Sequence, residues 1–123
     1  MLSSNNFSRF IKGFNAFKTD YSFKETAANT MYDLSDYFTT KYDKMGENFV
    51  MDVTDEYLKM ICAGKEFLIS RQTPTRQIWV SSPISGSLKF DYDTDKKSWI
   101  NHKKPELTIK AELSNELEAA FGK

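Results

Sequence analysis

Hydrophobic positions in this chain change their period twice. From Asp20 to Tyr42, the residues Phe23, Ala27, Thr30, Met31, Leu34, Tyr37 and Phe38 recur at three- and four-residue spacing, with Glu25, Asn29, Asp33 and Asp36 off that stripe. This is the pattern of an amphipathic helix, with Asp20 as its expected N-cap and the polar stretch around Gly46 as its end. Short runs with period two follow. Asn48 to Val53 and Tyr57 to Ala63 flank the acidic turn Thr54-Asp55-Glu56, and Gly64-Lys65 turns into Glu66 to Ser70. Thr73-Pro74 breaks the ladder, because proline offers no backbone donor. From Arg76 to Ser82 the residues alternate strictly: Ile78 and Val80 share one side, and Gln77, Trp79 and Ser81 share the other. Leu88, Phe90 and Tyr92 alternate with Lys89 and Asp91, and Ser98 to Asn101 is a short last strand. The helical period then returns in Ile109, Leu113, Leu117, Ala120 and Phe121, with Pro105 as the expected first helical residue, Glu106 at the positive end of its dipole and Gly122 as its stop. The order predicts an α+β fold: a two-layer α/β sandwich with two helices on one face of an antiparallel sheet of about six strands.

Trp79 is the residue this arrangement leaves conspicuous. The aliphatic side of its strand is the core side, so the indole lies on the face where a two-layer fold meets water. A tryptophan between a glutamine and a serine suits a partner-binding surface; alternation alone leaves open whether a neighbouring loop covers it.

With 123 residues, the chain holds one domain around one core. The single Cys62 excludes an internal disulfide, and the single His102 excludes a Cys/His zinc site. Alternation with Leu58 and Met60 makes Cys62 a buried small hydrophobe, and His102 is expected at the surface. No nucleophile elbow or glycine-rich phosphate loop occurs. Net charge is zero but unevenly spread: residues 20–56 hold nine acids against three bases, and residues 57–123 hold eight acids against eleven bases. This split does not supply the dominant basic face that nucleic-acid binding needs. It suits a cation or a basic partner at the acidic end. No apolar run is long enough for a transmembrane helix.

Residues 1–19 carry Arg9, Lys12 and Lys18 without an acid, and Phe7, Phe10, Ile11, Phe14 and Phe17 recur at helical spacing. Such a composition reads as an organelle-targeting segment preceding a single domain over 20–123; the alternative is an amphipathic helix packed on that domain.

The string QTPTRQIWVSSPISG from Gln72 to Gly86, followed by Lys89-Phe90-Asp91-Tyr92 and Ser98-Trp99, resembles the signature region of the frataxin family. The acidic first helix, the element order and the closing Ala111-Glu112-Leu113 agree, so the resemblance covers residues 20–121. It implies an accessory protein of iron–sulfur cluster assembly, docked on a cysteine desulfurase complex and its scaffold protein and promoting sulfur transfer. It also implies weak iron binding at surface carboxylates, a monomer, no membrane partner, and location in the mitochondrial matrix or a mitochondrion-derived organelle. Family members have further been described as iron chaperones with ferroxidase activity, supplying iron for cluster and haem synthesis. Carried over position by position, Trp79 matches the exposed sheet tryptophan that contacts the scaffold, with Thr75, Gln77, Ser81 and Lys89 around it. Trp99 matches a second, buried tryptophan. Thr75 stands where the family commonly has Asn. Lys89 stands where animal members have Arg, which keeps the charge but loses bidentate bonding. The metal-binding candidates are Glu25, Asp33, Asp36, Asp52, Asp55 and Glu56, while Ala28 and Asn29 occupy positions where acids are common. Hard oxygen ligands without His or Cys would hold iron loosely.

Three functional classes therefore stand side by side: a docking activator, an iron chaperone or ferroxidase, and a generic binder using the sheet face. The short tail after Phe121 predicts a less covered groove between the helices, and lower stability than in long-tailed relatives.

Overall fold

The computed structural model describes residues 16–122. Helix α1 spans Asp20–Lys41 and a 3-10 turn covers Asp43–Asn48. Six strands follow: β1 Phe49–Val53, β2 Tyr57–Cys62, β3 Lys65–Gln72, β4 Gln77–Ser82, β5 Gly86–Asp93 and β6 Ser98–Asn101. Helix α2, Ile109–Ala120, closes the order. The strands form one antiparallel meander in sequence order. This is the two-layer sandwich that the hydrophobic periods predict.

The stripe of α1 is the buried one: Phe23, Ala27, Met31, Leu34 and Phe38 are covered, and α2 contributes Ile109, Leu113, Leu117 and Ala120. They meet the inward side chains of the strands, which are Leu58, Met60 and Cys62 on β2, Phe67 and Ile69 on β3, Ile78 and Val80 on β4, Phe90 on β5 and Trp99 on β6. Both helices therefore seal the same sheet face. Cys62 is fully buried, as alternation with Leu58 and Met60 requires. The β2–β3 connection is a two-residue hairpin in which Ala63 and Gly64 have φ of 51° and 82°, the primed turn whose twist matches the strands.

Both helix starts differ from expectation. Thr19, not Asp20, caps α1: its side chain accepts from the Ser22 backbone N–H, while the Asp20 carboxylate pairs with Arg76 at 2.9 Å. For α2, Pro105 and Glu106 lie in a turn before the helix, and Thr108 is the cap, accepting from the Ala111 N–H at 3.2 Å. The reason is local. The Asn101 side chain accepts from the Lys103 and Lys104 N–H groups, and Leu107 and Thr108 return alongside β6, where Asn101 N–H donates to Leu107 C=O and Ile100 bridges Thr108. Backbone that pairs with a strand edge cannot also be helical. Strand β3 also outruns its expected end at Ser70, so the Thr73-Pro74 break comes only after Gln72.

The packed core begins earlier than residue 20. Phe17, assigned from sequence to a leading segment, is 6% exposed. Its ring packs against Phe23, Tyr92 and Trp99 at 5.5, 5.2 and 5.9 Å between centroids. Its carbonyl accepts from the Arg76 guanidinium, which also holds Asp20. The aromatic periodicity through Phe7, Phe10, Ile11 and Phe14 lies outside the described residues.

Candidate functional site

Strand β4 runs through the middle of the sheet. Its pairing sets Trp79 opposite Ser70 of β3 and Lys89 of β5, on the face turned away from both helices. The indole is half-buried on that face. Three hydrogen bonds fix what surrounds it. The Trp79 indole N–H donates to Gln77 Oε1 at 2.8 Å. The Gln77 amide donates through Nε2 to Asp91 Oδ1 at 2.9 Å. The other carboxylate oxygen of Asp91 lies 2.6 Å from His102 Nδ1. A carboxylate only accepts, so Nδ1 carries the proton in this contact. The ammonium of Lys89 sits 4.6 Å from the Trp79 ring centroid, within cation–π range.

The residues expected around Trp79 take different parts. Ser81 and Lys89 are exposed on its face. Gln77 faces the same way but is 8% exposed, so it braces the indole more than it offers itself. Thr75 lies in the turn between β3 and β4, half-buried, with its hydroxyl 3.4 Å from the Gln72 carbonyl. Asp91 and His102 were not among the expected site residues. The alternation along β5 already put Asp91 beside Lys89. The pairing register that brings it next to Gln77, and the loop that returns His102 to it, could not be read from spacing. Trp99 is structural, as expected: it is 2% exposed and its N–H donates to Thr30 Oγ1 at 2.8 Å.

The six acidic candidates lie elsewhere, along α1 and the β1–β2 turn. All are exposed. Asp33 and Asp36, three apart, are neighbours on the helix surface. Glu25 lies about 12 Å nearer the helix start, eight residues at the helical rise. The β1–β2 turn is organised by the Thr54 hydroxyl, which accepts from the Glu56 and Tyr57 N–H groups. Three of the carboxylates have partners: Asp52 accepts from the Tyr57 phenol at 2.9 Å, Glu56 pairs with Arg71 at 3.3 Å, and Asp55 hydrogen-bonds Tyr32 of α1. The bonds to Asp52 and Asp55 raise the Tyr57 and Tyr32 phenols above their ordinary range. Among the described residues no three His, Cys, Asp or Glu side chains converge as a metal-ion cage.

The model of the frataxin-like domain family matches residues 16–123. The chain belongs to the frataxin family. The match begins at Ala16, four residues before the boundary read from composition, in keeping with the core position of Phe17. The chain is 37% identical over 89 residues to a mitochondrial frataxin of Arabidopsis thaliana, covering 67% of this chain and 46% of that protein. It is 43% identical over 44 residues to the iron–sulfur cluster assembly protein CyaY of Pseudomonas putida, covering 36% of this chain and 39% of that one. The chain thus spans less than half the length of these two curated relatives. A solved frataxin from Psychromonas ingrahamii superposes with a TM-score of 0.54 at 20% identity, over 71% of this chain and 77% of that one. That likeness establishes the frataxin fold. Among the described residues no helix is long and apolar enough to cross a membrane.

Proposed function

We propose that this frataxin-family chain is an accessory protein of iron–sulfur cluster assembly. It docks through the open sheet face on a scaffold protein bound to a cysteine desulfurase complex, and it promotes sulfur transfer there. The mitochondrial names of its relatives support a mitochondrial or mitochondrion-derived location. One observation carries the reading: a half-buried indole on the uncovered sheet face, braced by Gln77 and flanked by Lys89 and Ser81. A rigid aromatic with a fixed rotamer loses little conformational freedom on binding, which is what an anchor residue requires. The acidic ridge of Glu25, Asp33, Asp36, Asp52, Asp55 and Glu56 serves as a complementary surface for basic residues of the desulfurase complex. Docking shifts the complex toward its transfer-competent state.

The iron-chaperone and ferroxidase reading ranks second. Isolated carboxylates suit loose, partly hydrated binding of a divalent cation as cargo, and three of the six are already engaged by Tyr57, Tyr32 and Arg71. The test is Trp79→Ala added to a reconstituted desulfurase–scaffold complex, with folding checked by circular dichroism. Stimulation of cluster formation is expected to disappear while the fold remains. Undiminished stimulation by the folded variant would remove the docking reading.

A further inference from the structure

The string from Trp79 to His102 has a direction, and the direction comes from its carboxylate. A glutamine amide has two orientations of nearly equal shape, one presenting oxygen and the other NH2 to a given neighbour. At Gln77 the neighbours are an indole N–H, which can only donate, and a carboxylate, which can only accept. The observed orientation satisfies both. The flipped one would set oxygen against oxygen at Asp91 and N–H against N–H at Trp79. His102 Nδ1 and the Gln77 amide together hold the two Asp91 oxygens in place. The backbone on both sides is tied as well, because the His102 N–H donates to the Lys89 carbonyl at 2.8 Å.

We propose that Asp91 and His102 are positioning residues for docking: through the Gln77 amide they fix the Trp79 indole and keep its N–H occupied. The proposal rests on the docking reading above and sharpens it. With the N–H engaged inside the chain, Trp79 offers its partner a ring face and edge beside a cation, not a hydrogen-bond donor. The matching patch on the partner is therefore apolar or aromatic, with an acidic group for Lys89.

The same logic separates two protonation regimes. Groups facing His102 are Asp91 and Lys89 of β5, Lys103 and Lys104 of its own loop, and Glu112 of α2, which accepts from Asn101. In the native chain His102 Nδ1 donates to Asp91 whether the ring is neutral or charged, so the string holds in either protonation state. In Asp91→Asn it survives only when the ring is neutral and Nδ1 accepts from the substituted amide's NH2. A charged ring turns the oxygen of that amide toward itself, the Gln77 amide flips, and the indole N–H loses its acceptor.

The experiment follows the two indole N–H resonances of the 15N-labelled full chain and their solvent exchange at about pH 5.5 and about pH 8, on either side of the histidine range. Trp99, bonded to Thr30 inside the core, is the internal reference. Expected are a protected Trp79 signal at both pH values in the native chain, protection only at the higher pH in Asp91→Asn, and faster, pH-independent exchange in Asp91→Ala, where Gln77 keeps its oxygen toward the indole but loses its brace. Scaffold binding is measured on the same samples and should weaken about five- to tenfold wherever protection is lost, the size of one net hydrogen bond. Exchange of Trp79 as slow in Asp91→Ala as in the native chain would overturn the string itself, and protection in Asp91→Asn at both pH values would remove His102 from it. Loss of protection with unchanged binding would leave the string intact and overturn its role in docking. If Trp79→Ala also binds normally, the docking reading fails instead.

Discussion

Two truncated chains, one starting at Ala16 and one at Asp20, differ by four residues, yet they should differ by a large share of the domain's stability. Phe17 is 6% exposed and touches three aromatic rings of the core. Removing a phenylalanine from such a place costs about 3–5 kcal/mol through lost transfer energy and an incompletely collapsed cavity. Thr19 caps α1 through its side chain, and loss of an N-cap costs about 1 kcal/mol. The sum is about 4–6 kcal/mol against a typical total of about 5–15 kcal/mol. With a urea dependence of about 2 kcal/mol per molar, the unfolding midpoint of the shorter chain should fall by about 2–3 M. The point variant Phe17→Ala in the full chain should reproduce most of that fall, which separates loss of the ring from loss of the cap. Equilibrium urea unfolding, followed by tryptophan fluorescence, measures all three. Coincident midpoints for the two truncated chains would show that Phe17 and Thr19 are dispensable, and the core assignment of Phe17 would be refuted.

Burial pushes the Cys62 thiol up to about 11. The folded state thus favours the neutral thiol: its stability is intact below pH 9, the ordinary value, and falls as pH rises through about 11. Urea unfolding from pH 8 upward should show a steeper alkaline loss in the native chain than in Cys62→Ala, by about 2–3 kcal/mol over the full titration; parallel curves would contradict it. The Tyr42 hydroxyl is buried and finds no hydrogen-bond partner among the described residues. Tyr42→Phe should therefore match or exceed the native stability, by up to about 1 kcal/mol, and a clear drop in melting temperature would mean the hydroxyl has a partner. Trp99→Ala should cost about 3–5 kcal/mol whereas Trp79→Ala should leave the thermal midpoint nearly unchanged; equal losses would contradict the assignment of one ring to the core and the other to the surface. In an anaerobic ferrous titration, replacing Asp33 and Asp36 by Asn should weaken iron binding while sparing scaffold docking, and unchanged iron binding would exclude that pair as a site.

The layers of this fold were legible because they depend on period. Three- and four-residue spacing from Phe23 to Phe38 and two-residue alternation through Ile78 and Val80 each name a buried side, and the structure buries those sides. Helix boundaries were less legible because a cap is decided by one backbone conformation. Asp20 and Thr19 are both good caps by type, and only the observed geometry chooses Thr19, leaving Asp20 for Arg76. Pro105 satisfied a local rule for a helix start, and it lost to a tertiary one, the pairing of Leu107 and Thr108 with the β6 edge. The site divides in the same way. Trp79, Ser81 and Lys89 fall on one face by alternation, and so does Gln77, whose side chain is nonetheless largely covered and bonded to Trp79 and Asp91. Its covering depends on Asp91 from another strand and His102 from a loop, which no single-strand pattern can place together.

That division has a physical consequence. The inner face of the sheet meets two helices, so every inward side chain is fixed by packing, and a change there is felt as lost stability. The outer face has no such cover, and a large ring on it would sample several rotamers unless something else held it. Here a polar string does so in place of a packed layer, with Gln77 and Asp91 drawn into near-burial by their own bonds and by the sheet beneath them. Rigidity at Trp79 is thereby separated from the hydrophobic core. Under the docking proposal, substitution at Asp91 or His102 changes partner affinity without touching the residues that keep the chain folded. The converse holds for Phe17 and Trp99, whose rings pack together in the core on the helix side of the sheet, away from the face of Trp79.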